Sequence, residues 1–413
     1  MIENQDACRF CHHPLEHSFC DLGMTPLSNS YLAKGQLEKG ESFYPLHAYV
    51  CAKCFLVQVK SYELPENIFG DYAYFSSYSD SWLKHCQNYA EQIIARLKLD
   101  GSKQVIEIAS NDGYLLQFFK QHNIPVLGIE PAANVAKAAE AKSIPTLVEF
   151  FGSKVAQELK GKNTQADLLI GNNVLAHVPA LNDFVKGLKI LLKRHGVITM
   201  EFPHLLRLME SNQFDTIYHE HFSYFSLLAV DKIFKAQGLK IFDIDELKTH
   251  GGSLRIYAGH EEDLEKTIAQ RVSDMKEKER KLGFERLEGY AQFSVGVQQL
   301  KADLLSFFLD CKRKGEKIVG YGAPAKGNTL LNFCGIRSQF LDFTVDRSPH
   351  KQGRFLPGTH IPILAVEAIA QAKPDYLLIL PWNLKEEIVN QMAFIREWGG
   401  KFVVPIPKLE ILK

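Results

Sequence analysis

Four cysteines in two matched pairs, Cys8-Arg-Phe-Cys11 and Cys51-Ala-Lys-Cys54, have a spacing that implies metal chemistry. Two C-x2-C knuckles supply four thiolates for tetrahedral zinc, and a closed thiolate shell makes such a site structural. A catalytic zinc would need an open position, which His12 or His13 could create only by replacing a cysteine. The stretch between the knuckles is longer than in a short zinc ribbon. Cys20, Cys86, Cys311 and Cys334 lack paired spacing and read as small core residues. A second cluster, Tyr218-His219-Glu220-His221, gathers proton-handling groups. Histidine titrates near neutrality and is the natural general base. In an extended segment Tyr218 and Glu220 share one face and His219 and His221 the other, so the segment must bend if Glu220 and His221 are to meet one substrate. Histidines filling an aromatic loop are the competing reading.

The elements that position these groups follow from the apolar pattern. Residues 1–65 read as a small zinc-stapled unit whose thin core needs the metal. Residues 66–260 read as a linking helix (80–98) followed by strand–turn–helix repeats, with strands in QVIEIAS, PVLGIEP, ADLLIGNNVLAHV and GVITMEFPH. Such alternation predicts a parallel sheet covered on both faces. Residues 261–413 open with charge-rich helical sequence, read as a solvated spacer, before the pattern restarts in KIVGYG, FLDFTVD, DYLLILP and KFVVPIP. The expected class is therefore α/β, with a zinc unit, a central Rossmann-like domain and a C-terminal Rossmann-like domain.

Open parallel sheets bind ligands beyond the carboxyl ends of their strands. The first central strand ends in Glu107-Ile-Ala-Ser-Asn111-Asp112-Gly113, and the second ends in Glu130, 23 residues after Glu107. A carboxylate there can accept from both ribose hydroxyls. One glycine and an Asn-Asp pair cradle a pyrophosphate poorly, which favours a nucleoside cofactor without phosphates, S-adenosylmethionine; an acidic helix cap in a ligand-free sheet is the alternative. Asn173 and His177 also follow a strand end. In the C-terminal part, Gly320-Tyr321-Gly-Ala-Pro-Ala-Lys326 joins a strand to a helix, where backbone N–H groups and the lysine favour an anion.

The string from Glu107 to Gly113 resembles the first motif of the S-adenosylmethionine-dependent sugar C-methyltransferases that make branched deoxysugars. The resemblance covers nearly the whole chain. It takes in both knuckles, Asn172-Asn173-Val-Leu-Ala-His177-Val-Pro179, Ile217 to Phe222, His250-Gly-Gly-Ser-Leu-Arg255, Gly320 to Lys326, Asn332 to Ile336 and Pro357 to Pro362. The family usually has Gly where this chain has Ala109; alanine demands negative φ more strictly, so a slightly different turn is expected.

The resemblance implies S-adenosylmethionine and a structural zinc as cofactors. It implies a nucleotide-linked 4-keto-6-deoxyhexose, carried on deoxythymidine diphosphate, as substrate. Methylation is expected at C-3 beside the ketone; C-5 is also beside it. His221 would take the proton from the carbon, Glu220 would tune or share that transfer or bind a polar group of the substrate, and Tyr218 would hydrogen-bond the sugar. Tyr74 would lie over the reacting sugar near the methyl donor, its hydroxyl holding the carbonyl oxygen as it gains charge, a packing role being the alternative. Glu107, Asn111, Asp112, Gly113, Glu130, Phe151, Asn172 and Asn173 form the expected cofactor set, Phe151 as an adenine-flanking aromatic. His177, Tyr321 and Lys326 form the expected substrate set, although His177 reads equally as the cap of a local turn. His219 is often Asp in the family and is left out.

With 48 basic and 48 acidic residues among 413, the net charge is zero, which argues against broad nucleic-acid binding. No apolar run is long enough for a bilayer span, and the polar start lacks a signal peptide's apolar stretch, so a cytoplasmic protein is expected. No coiled-coil pattern demands a dimer, so a monomer is expected. An oxidoreductase using NAD(P) in the C-terminal domain is the alternative enzyme, weakened by an incomplete dinucleotide fingerprint. A zinc-dependent module that binds nucleic acid or protein is the non-enzymatic alternative.

Overall fold

A computed structural model of the chain describes residues 6–63 and 76–413. Three sheets organise it, their strands numbered along the chain. The first pairs β1 (His17–Thr25), β2 (Tyr44–Val50), β3 (Val57–Val59) and β9 (Ser223–Tyr224) in that order, all antiparallel. β9 directly follows the Tyr-His-Glu-His cluster, so the zinc unit's sheet is completed by the segment that carries the candidate base.

The central sheet has seven strands: β4 (Val105–Ile108), β5 (Val126–Ile129), β6 (Thr146–Leu147), β7 (Ala166–Asn172), β8 (Leu192–Pro203), β10 (Leu239–Leu247) and β11 (Ser253–His260). Their order is β10-β11-β8-β7-β4-β5-β6. All four residues of β4 are buried, as a strand covered on both faces requires. The sheet is not wholly parallel as expected: β11 runs antiparallel to both β10 and β8. The cause is local. β10 and β11 are joined by a tight turn through His250, Gly251 and Gly252, all at positive φ, which returns the chain beside itself without a crossover helix.

The C-terminal sheet comprises β12 (Ile318–Tyr321), β13 (Thr344–Val345), β14 (Ile363–Leu364), β15 (Tyr376–Ile379), β16 (Lys401–Val404) and β17 (Glu410–Leu412), ordered β14-β13-β12-β15-β16-β17. Only β17 is antiparallel.

The charge-rich stretch is not a solvated spacer. The helix Glu288–Lys314 buries Tyr290, Phe293, Val297, Leu300, Leu304, Phe308 and Cys311, one stripe at helical spacing. Phe19 of the zinc unit stacks on Phe293, with ring centroids 4.7 Å apart. On the preceding helix, Gln270–Lys281, Glu279 is fully buried. It accepts from the Leu227 and Leu228 N–H groups at 2.7 and 2.8 Å, capping the helix Leu227–Ala236. The charge-dense stretch just before the helix Glu288–Lys314 masks its apolar stripe.

Candidate active site

One cavity of about 690 Å³ lies where the three sheets meet. Its first end is built by backbone turns after β4, β5 and β7. Ala109, Asn111 and Gly113 have φ of 54°, 48° and 75°. Ala109 thus adopts the left-handed conformation that its side chain disfavours. Glu130 holds the turn: its two oxygens accept from the Asn111 and Ala132 N–H groups, each at 2.9 Å. Each oxygen keeps a lone pair for a ribose hydroxyl. Asn111 Oδ1 in turn accepts from the Ser76 N–H at 2.9 Å.

Of the expected cofactor set, Asn111, Glu130, Phe151, Asn172 and Asn173 line the cavity, and Glu107, Asp112 and Gly113 do not. Glu107 is fully buried beside Tyr114, and burial drives its carboxyl well above the usual range. Asp112 pairs with Lys142 at 3.2 Å. Gly113 is needed for fit: a Cβ there would sit 2.4 Å from Ile144 Cδ1. These three residues shape the turn. Phe151 meets Phe184 edge-on, with centroids 5.3 Å apart. The buried Asn173 Oδ1 has no hydrogen-bond partner, and its amide nitrogen lies 3.2 Å from His250 Nε2. An unpaired acceptor and two ribose-ready carboxylate oxygens in one cleft fit the amine and hydroxyls of S-adenosylmethionine.

The second end holds the proton-handling groups. The segment from 218 bends, the His221 N–H donating to the Tyr218 carbonyl at 2.9 Å, so Tyr218, Glu220 and His221 all line the cavity. His221 Nδ1 lies 2.9 Å from the Thr216 carbonyl oxygen. That oxygen only accepts, so Nδ1 carries the proton and Nε2 the lone pair. Nε2 accepts from the Tyr218 hydroxyl at 2.7 Å. Burial, reinforced by neighbouring His177, holds His221 well below the ordinary histidine range and so neutral. His177 is also buried, pulled down to about 4, and its ring meets His221 edge-on at 4.7 Å. Burial pushes Glu220 up to about 7. His219 turns away, its Nε2 3.2 Å from the Pro45 carbonyl. Tyr74 lies outside the described residues.

The C-terminal sheet adds Lys326 at the start of the helix Ala325–Cys334. Its ammonium is buried, 2.8 Å from Asn383 Oδ1 and 4.6 Å over the Trp382 ring. Burial lowers its pKa. Trp382 Nε1 donates to Asp215 at 2.7 Å, next to the Thr216 carbonyl that orients His221. Tyr321 does not reach the cavity; its hydroxyl lies 3.2 Å from Gln391. Arg255, on β11, is buried against Glu201. There, despite the cost of burial, the His85 hydrogen bond and the Arg255 charge hold Glu201 down to about 2.

Sequence reasoning missed Asn29, Tyr31, Trp82, Tyr114 and Lys351 as cavity residues. Asn29 and Tyr31 sit in the long stretch between the knuckles, whose length was the only signal available. The knuckles themselves converge: the sulfurs of Cys8, Cys11, Cys51 and Cys54 all lie within 4.8 Å of one another. Gln58 Nε2 donates to Cys8 Sγ at 3.1 Å, tying the thiolates to β3 and so to β9. Four soft ligands with no further His or carboxylate in their group suit a closed structural zinc.

The C-methyltransferase NovU of Streptomyces niveus is 33% identical over 417 aligned residues, covering 100% of this chain and 98% of that protein. The chain belongs to the C-methyltransferase family. Three family profiles match in series: a zinc binding domain at residues 8–69, a methyltransferase domain at 82–244 and a C-methyltransferase C-terminal domain at 248–407. This family member uses S-adenosylmethionine as methyl donor and a structural zinc held by the four cysteines. Among solved structures, an S-adenosylmethionine-dependent methyltransferase from Clostridium acetobutylicum matches with TM-score 0.35 and 10% identity, covering 43% of this chain and 92% of its own. Magnesium protoporphyrin IX methyltransferase of Synechocystis matches with TM-score 0.33 and 17% identity, covering 47% and 88%. Among the described residues, no helix is long and apolar enough to cross a membrane.

Proposed function

We propose that this chain methylates a carbon of a nucleotide-linked 4-keto-6-deoxyhexose, at C-3 beside the ketone, in branched deoxysugar biosynthesis. Deoxythymidine diphosphate is the proposed carrier, and the cytoplasm the proposed compartment, with the chain acting as a monomer without nucleic acid. The organisation proposed is a zinc unit (1–65), a methyltransferase domain (66–260) and a substrate domain (261–413). The observation that carries the reading is His221: a neutral imidazole, oriented through Nδ1, with its Nε2 lone pair in the same cavity as the cofactor turn.

S-adenosylmethionine supplies an electrophilic methyl group when bound. A sugar carbon becomes nucleophilic only after losing a proton beside a carbonyl. His221 Nε2 accepts that proton, and the Thr216 carbonyl steadies the resulting imidazolium through Nδ1–H. Tyr218 gives up its hydrogen bond to Nε2 and turns to the sugar, where Tyr74 also contributes. Lys326 brings positive charge to the end of the cavity where the enolate and the diphosphate carry negative charge. Asn111, Glu130, Phe151, Asn172 and Asn173 orient the methyl donor; alignment of the reacting groups lowers the barrier by several kcal/mol. Conversion of a panel of nucleotide-linked 4-keto-6-deoxysugars, followed by mass spectrometry and NMR, tests the reading. A product heavier by one methylene with a new methyl at C-3 is expected. Methyl transfer to oxygen or nitrogen, or hydride transfer from NAD(P)H, would overturn it.

A further inference from the structure

Asn29 reaches the proton-handling cluster from a stretch of chain with no site motif of its own. Its side-chain nitrogen donates to Glu220 Oε1 at 2.7 Å. Its Oδ1 lies 3.2 Å from the Tyr31 hydroxyl oxygen, whose proton is donated to the Ala323 carbonyl at 2.6 Å. Lys351 Nζ donates to the same carbonyl at 2.9 Å, and the Ala323 N–H donates to Asp346 at 2.8 Å. A relay therefore runs from the carboxyl end of β12, through Tyr31 and Asn29, to Glu220. In the structure the amide N–H, not Oδ1, faces Glu220 Oε1. Glu220 lines the cavity, and its Oε2 is buried with no hydrogen-bond partner. A carboxyl whose Oε1 accepts an amide N–H carries its own proton on Oε2.

We propose that Glu220 is the acid of the site and Asn29 its positioning residue: burial supplies the proton, and Asn29, by occupying Oε1, leaves that proton on Oε2, where Glu220 donates a hydrogen bond to the ketone oxygen. The proposal rests on the reading of His221 as the carbon base. As the C–H bond breaks, its proton passes to His221 Nε2 and its electron pair becomes the enolate double bond. The carbonyl π pair moves onto oxygen, and Glu220 Oε2–H holds that oxygen. When the carbon makes its new bond, the pair returns, the carbonyl re-forms and Glu220 keeps its proton. The titratable groups around Glu220 suit this role. His177 and His221 are held neutral by burial, and burial raises Tyr31, so no charge from these three competes for the proton. Burial raises Glu220 to about 7 against the lowering effect of Asn29, so the protonated form is present at neutral pH.

The test uses the full-length, zinc-bound protein without a methyl donor. It follows deuterium uptake from solvent at C-3 of deoxythymidine-diphosphate-4-keto-6-deoxyglucose across pH. In the unmodified protein, exchange is expected to fall as pH rises through about 7, when Glu220 loses its proton. Asn29→Ala removes a donor that favours the carboxylate, so this alkaline limb should move up by about one to two pH units. Tyr31→Phe keeps the ring and loosens the amide, and should move the limb the same way by less. An infrared band of a protonated carboxyl that disappears in Glu220→Gln and shifts in Asn29→Ala is the expected readout independent of turnover. An alkaline limb unmoved in both variants, or exchange that rises through pH 7, would overturn the proposal. Absence of exchange in the unmodified protein with bound substrate would instead remove the His221 reading, and this proposal with it.

Discussion

The two ends of the cavity are built by different means. At the cofactor end, turns after neighbouring strands of one sheet do the positioning, and the first of them is set by backbone conformation: three positive φ angles between 109 and 113, held by a carboxylate from the next strand end that bridges two N–H groups. At the proton-handling end, side chains from three sheets converge. Asn29 and Tyr31 come from the zinc unit, His177, Tyr218, Glu220 and His221 from the central domain, and Lys326 and Lys351 from the C-terminal sheet. The first arrangement survives small movements between domains. The second depends on docking, because no single element holds more than part of it.

The sharpest separation of the two ends is His221→Asn. Turnover should fall by about 10²–10⁴-fold, the usual contribution of a general base, while S-adenosylmethionine affinity by calorimetry stays within about twofold. Turnover unchanged would remove the base assignment. An equal loss of cofactor affinity would show that the two ends are not independent.

Zinc removal probes docking. Cys8→Ser combined with Cys51→Ser should abolish metal binding and loosen β3, which pairs with β9 through Val57–Tyr224 and Gln58–Ser223. Amide hydrogen exchange at Ser223 and Tyr224 should then rise and turnover fall, with cofactor affinity lowered by less than about tenfold, since losses pass to the far end only through packing. Full zinc occupancy of the double variant by elemental analysis would refute four-thiolate ligation. Unchanged exchange at Ser223 and Tyr224 in a metal-free variant would refute the docking role.

The same contrast explains what could be read in the sequence. The knuckles, the strands after residue 103 and the turn from Glu107 to Gly113 are local patterns, and the fold follows them. Asn29 and Tyr31 were illegible because each belongs to no repeat and gains meaning only beside residues almost 200 or 300 positions away, Glu220 and Ala323. The helix Glu288–Lys314 was misread because the charge-dense stretch just before it reads together with it as one spacer. Tyr321 was misplaced by one step of strand alternation: it shares a strand end with the site but faces away from it.

Within the cofactor turn, two substitutions of opposite sign test whether backbone conformation sets this end. Gly113→Ala combines a φ of 75° with a Cβ 2.4 Å from Ile144 Cδ1, and should cost about 1–3 kcal/mol of stability together with cofactor affinity. Ala109→Gly is the subtler change. A left-handed alanine costs about 1–2 kcal/mol, and the freedom that glycine adds to the unfolded chain returns about 0.5–1 kcal/mol of that cost. A net stabilisation of about 0.5–1 kcal/mol should remain, read as a higher denaturant midpoint at constant m-value, with cofactor affinity unchanged because the turn already has glycine's geometry. Loss of stability in Ala109→Gly would mean that the Ala109 methyl group is worth more as packing at the cavity edge than its backbone strain costs, and the cofactor end would then rely on side chains as much as the other end does.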